Sequence, residues 1–149
     1  MIDQSVHSYL LKPGLWDVSG VFYDSNHNPF PQQGQLVVIH EPDLWVVEGQ
    51  LTINTGQTQT ISSRYEVQPL GEKAVFTEWK SETGGPEPIL GLYVMVGDSI
   101  MSPWQSRSGA YWGQEVLMRR SLLEYHGRGF AFLKNDLVSA WTTCLTFNG

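Results

Sequence analysis

The residues best able to do chemistry are charges set inside strand-like runs. Arg64-Tyr65-Glu66 and the stretch from Glu115 to Arg120 carry carboxylate and guanidinium groups among alternating apolar side chains. A charge turned into an enclosed interior must be paired or meet a ligand, because desolvating it alone is costly. Arg120 shares its alternation with Val116, Met118 and Leu122, which makes it the leading inward cation, with Arg64 second. Such a cation would either anchor a ligand carboxylate or serve the structure. Arg119 then points to solvent. A catalytic reading (a lyase, isomerase or hydrolase) would instead gather Glu66, Glu78, Glu115 and a histidine. The histidines, His7, His27, His40 and His126, lack metal-ligand spacing. They read as surface or hydrogen-bonded groups, with a haem or metal role for His40 or His126 as the alternative. Cys144 has no activating neighbour and reads as an inert buried thiol.

What could enclose these groups is a β-meander. From Leu15 onward the apolar period is mostly two. Strands are expected at Leu15–Asp24, Gln35–Glu41, Leu44–Asn54, Gln59–Gln68, Lys73–Ser81, Ile89–Val96, Ser99–Gln105, Tyr111–Tyr125, Phe130–Lys134 and Leu137–Phe147. Turn chemistry separates them, as in Ser25-Asn26-His27-Asn28-Pro29, Gly127-Arg128-Gly129 and Asn135-Asp136. Pro103 inside a run suggests an edge or a bulge. Residues 2–11 have a weak helical spacing that ends at Lys12-Pro13-Gly14. The expected fold is all-β, an antiparallel up-and-down barrel of 8–10 strands with a short N-terminal helix, residues 1–13, within a single domain over 1–149. Open sheets of that size leave exposed edges, and closure removes them.

Phe22, Trp45, Trp79, Phe132 and Trp141 lie at alternate positions along these runs. They read as barrel core or as the wall of a lumen for a flat apolar guest. Met95 and Met118 could adapt to that guest or simply fill gaps. The candidate lumen set is therefore Phe22, Trp45, Arg64, Trp79, Met95, Met118, Arg120, Phe132 and Trp141. An exposed aromatic patch would favour a packed barrel acting as a homodimer.

Composition narrows the partners. The net charge is −6 and the longest basic cluster is Arg119-Arg120, which argues against nucleic acid. A single cysteine excludes an intrachain disulfide. No apolar run nears the ~20 residues of a membrane-spanning helix, and residues 1–12 lack the form of a secretory signal. The expectation is a cytoplasmic protein.

Gly14-Leu15-Trp16, opening a meander after a short leader, resembles the G-x-W motif of the calycin superfamily, which includes lipocalins and fatty-acid-binding proteins. The resemblance implies that Trp16 plugs the closed end of a barrel, with Arg120 or Arg128 packed over it through a cation–π contact. It also implies binding of a small hydrophobic or amphipathic molecule, with no obligatory cofactor and haem or a bilin as further guests. A late Arg-x-Tyr of the fatty-acid-binding type is absent. Gly97-Asp98-Ser99-Ile100 is similar to the nucleophile block of GDS-type esterases, but Asp136 is followed by Leu137-Val138-Ser139 where those enzymes carry Asp-x-x-His. That block reads as a turn.

Overall fold

The structure is a computed structural model that describes residues 7–71, 73–83 and 85–149. Ten strands follow one another: β1 (Gly14–Tyr23), β2 (Pro29–His40), β3 (Trp45–Asn54), β4 (Thr58–Val67), β5 (Phe76–Ser81), β6 (Ile89–Val96), β7 (Ser99–Ser106), β8 (Tyr111–Ser121), β9 (Glu124–Leu133) and β10 (Asp136–Phe147). Each pairs antiparallel with the next, and β1 pairs with β10 from Trp16/Phe147 to Tyr23/Ala140, which closes the barrel. Closure satisfies both edges of the sheet, as the alternating pattern anticipated.

Three expectations are corrected. Tyr111–Tyr125 is not one strand. It divides at a turn over Leu122 and Leu123 into β8 and β9. Gly127-Arg128-Gly129 is not a turn but lies inside β9, where a Cβ at Gly127 would strike Leu117 and Thr143, and one at Gly129 would strike Trp141. These glycines concede interior volume to side chains from neighbouring strands. The N-terminal helix is also absent among the described residues. Positions 9–12 form a turn, Lys12 N donates to Ser8 O at 3.0 Å, and Leu10 has φ 73°. A left-handed residue followed by Pro13 stops any helical continuation. The expected span from Ile2 to Val6 lies outside the described residues.

The leader folds over one barrel end. Tyr9 and Leu10 enter the core beside Trp16, Val38, Val67, Met95, Ile100 and Tyr125. Trp16 is fully buried, with the rings of Tyr9, Tyr125 and Phe147 at centroid distances of 5.5, 5.8 and 5.2 Å. Arg120 and Arg128 are exposed on the outer wall and do not cover Trp16. At this end Lys12 Nζ lies 4.7 Å above the Phe147 ring.

Candidate functional site

Above this floor the barrel encloses a cavity of about 290 Å³. Its walls are the inward residues of successive strands: Val18 and Phe22 from β1, Val47 and Leu51 from β3, Tyr65 from β4, Trp79 from β5 and Tyr93 from β6. β7, β8 and β10 add Trp104, Tyr111, Glu115 and Trp141.

Large and small residues interlock across the ladders. Trp79 pairs with Gly91, Gly91 with Trp104, and Trp104 with Gly113. Trp141 pairs with Gly129 on the other side. At Gly91, Gly113 and Gly129 alike, an added Cβ would run into the indole of the paired tryptophan. Each indole therefore lies flat over a neighbouring backbone and leaves the centre of the barrel open. Gly129→Ala is expected to push Trp141 into the cavity and cost about 1–3 kcal/mol of stability. A shift of the urea midpoint at unchanged m-value would register it.

Two indole N–H groups are satisfied by the site itself. Pairing of β6 with β7 lapses between Gly91/Trp104 and Val94/Met101, around Pro103, which has no N–H to give. There Trp79 Nε1 donates to Ser102 Oγ at 3.0 Å and approaches Leu92 O at 3.3 Å. Trp141 Nε1 donates to Glu115 Oε2 at 2.7 Å.

Glu115 is the one charged residue on the cavity wall among the described residues. Burial raises its carboxyl above the usual range, and the Trp141 hydrogen bond acts the other way. Phenols crowd the same space. Tyr65 is pushed up to about 12, first by burial and then by the Glu115 charge. Burial and then the Glu115 charge raise Tyr9 as well, and burial raises Tyr93, followed by its neighbours Tyr9 and Tyr65 and then Glu115. Glu115 thus sits within electrostatic reach of three phenols, in a chamber whose other polar lining groups are uncharged amide and hydroxyl side chains such as Gln32, Ser102, Ser139 and Thr143.

The barrel is least sewn together between β4 and β5, which pair only at Glu66/Lys80 and Val67/Trp79. Beyond that seam Ile61, Ser62, Ser63 and Thr83 line the cavity, and Arg64 N donates to Thr83 Oγ1 at 3.1 Å. This side offers a mouth rimmed by hydroxyls.

The candidate lumen residues divide. Phe22, Trp79 and Trp141 line the cavity. Met95 is buried in the floor core, and Trp45 lies at the same end, its ring stacked on His40 at 4.0 Å. The others are corrected to the outer wall. Arg64 is exposed, 3.3 Å from Glu48 and 3.8 Å from Glu66. Arg120 and Met118 are exposed as well. Phe132 stacks on exposed Trp112 at 4.9 Å. The inner face of β8 is Tyr111, Gly113, Glu115 and Leu117, the opposite alternation from the one that Arg120 shares. The carboxylates of the catalytic reading do not assemble either. Glu78 is exposed, and Glu66 lies on the outer wall 3.7 Å from Lys80. No histidine lines the cavity among the described residues. A separate group, Glu124, His126 and Cys144, lies on the outer wall with ligand atoms within 4.8 Å of one another. Cys144 faces His126 across β9 and β10, a contact that linear spacing could not reveal.

No family model and no curated protein matches the chain. Among solved structures it is similar to the S-type phycobiliprotein lyase CPES from Guillardia theta, with a TM-score of 0.71 and 5% identity over 95% of this chain and 91% of that one. It is also similar to EF1p2_mFAP2b bound to DFHBI, with a TM-score of 0.55 and 13% identity over 96% and 98%. At such identities the likeness establishes a shared antiparallel barrel fold.

Proposed function

We propose that this protein binds one small, flat, largely apolar molecule inside its barrel. The cavity of about 290 Å³ inside the barrel, open at its mouth, carries the reading. It approaches the lower end of ligand pockets, roughly 300 Å³, and equals the liquid volume of about ten waters at ~30 Å³ each. A packed barrel would fill this space with its own side chains. Here glycines at three tryptophan-paired positions keep the indoles against the wall instead. Such a wall suits a guest of one to three rings. Haem would find no imidazole among the lining residues described, and haem or a bilin would have to extend through the mouth. The resemblance in fold to a structure with DFHBI bound supports a ligand-binding reading.

The expected result is a rise in melting temperature with members of a panel of two- and three-ring aromatics, neutral and amine-bearing. Saturation at about a hundred times Kd corresponds to ~2.7 kcal/mol of added stability. Native mass spectrometry of freshly purified protein would show any guest carried through purification. If no panel member shifts melting and none appears by mass, ligand binding is not what the cavity is for.

A further inference from the structure

We infer that Glu115 makes the lumen selective for a guest carrying a protonated amine or similar N–H cation on an aromatic body. This rests on the ligand-binding reading above and specifies its chemistry. The first observation is an imbalance of charge. Glu115 is the sole ionisable acid or base on the described cavity wall besides phenols, and no lysine, arginine or histidine joins it there. Arg64 and Lys80 turn outward to Glu66, and His7 faces Tyr125 and Gly97 below the floor. Glu115 is half-buried, and a carboxylate that a guest closes off from water needs a counter-charge and hydrogen bonds, or takes up a proton. The protein supplies one donor, Trp141 Nε1 on Oε2, and no other described group bonds the carboxyl. Satisfying a single indole N–H requires only a neutral acceptor, such as the Ser102 hydroxyl that serves Trp79. An ionisable acid at this position is therefore more than the fold's own hydrogen bonding uses.

The surroundings favour a cation over any other partner. Trp79, Trp104 and Trp141 share the wall with Glu115, and aromatic faces attract cations electrostatically. The phenols of Tyr65 and Tyr93 add polar edges without positive charge. A guest carboxylate, the end group of a fatty acid, would meet Glu115 with no described cation to offset the repulsion.

The test uses the full chain and three guests with one apolar body: 2-naphthylmethylamine, 2-naphthylmethanol and 2-naphthoate. Calorimetry at neutral pH should rank the amine first, roughly tenfold or more ahead of the alcohol, with naphthoate weakest. Glu115→Gln should erase the amine's advantage over the alcohol, and Glu115→Asp should retain part of it. Equal binding of amine and alcohol to the natural protein, or an advantage that survives Glu115→Gln, would overturn the inference while leaving ligand binding intact. Failure of all three guests would remove both.

Discussion

Trp16→Ala is expected to lower the unfolding free energy by about 3–5 kcal/mol, a large share of the ~5–15 kcal/mol that holds a domain folded. Trp16 is fully buried, and three aromatic rings meet it at steep interplanar angles of 79°, 73° and 67°. These rings come from the leader, from β9 and from β10, so the indole joins segments distant in sequence. Truncation would leave a void beneath the cavity that backbone pairing between β1 and its neighbours prevents from collapsing. Trp16→Phe separates packing from polarity. Trp16 Nε1 is buried without a partner among the described residues, so phenylalanine loses volume but also removes an orphan donor. Its cost should stay below ~1.5 kcal/mol. Urea midpoints for the two variants check the pair. Equal losses would mean that ring volume is not what Trp16 contributes.

The legible part of the fold was the part written in alternation. Trp16, Val18 and Phe22 on β1, Trp79 on β5, and Trp141 and Leu145 on β10 face inward as their period of two indicates. On β8 the same rule points the wrong way. Its outer face carries Trp112, Val116 and Met118, while its inner face carries Gly113 and Glu115. A single strand read alone takes the more apolar face as the core. The inner face can be small and acidic because Trp104 from adjacent β7 and Trp141 from β10, reaching across β9, cover it. That information resides in cross-strand pairs, and register is not visible until both partners are known. β6 fails for a different reason: nearly all its residues are apolar, so no period singles out Tyr93 as a lumen residue. A tryptophan on one run and a glycine at a matching position on the next was the available signal for Trp79/Gly91 and Trp104/Gly113.

Acid should weaken the floor through His7, and Tyr125→Phe should weaken it at any pH. His7 Nε2 lies 2.8 Å from Gly97 O, a carbonyl that can only accept, so Nε2 carries the proton. Nδ1 is then the acceptor, and the Tyr125 hydroxyl donates to it at 2.8 Å. The Tyr125 oxygen in turn accepts Ser8 N–H at 3.1 Å. This chain fixes His7 as the neutral tautomer. Its pKa is lowered from 6.5, first by burial and further by the Arg119 charge, with the Gly97 hydrogen bond and Asp98 opposing. A lowered histidine pKa contributes stability that is complete above the unfolded value and lost as pH falls through the folded one. The natural protein should therefore lose stability to this group below about pH 6.5, and His7→Gln should not show that loss. Glu115 acts in the opposite sense. Its raised carboxyl stabilises the fold fully below the unfolded value of 4.5 and loses that contribution as pH rises through the folded one. The difference between the natural protein and His7→Gln cancels Glu115 and isolates the histidine. Tyr125→Phe removes a donor from Nδ1 and an acceptor from Ser8 N–H while retaining the fully buried ring. Each stranded group costs about 1–3 kcal/mol, so a loss of roughly 2–6 kcal/mol is expected, with the His7-linked pH dependence diminished. Urea midpoints between about pH 7.5 and pH 5 for the three proteins measure both effects. A pH profile that His7→Gln shares with the natural protein would mean that the leader is not held to the floor by this chain of hydrogen bonds.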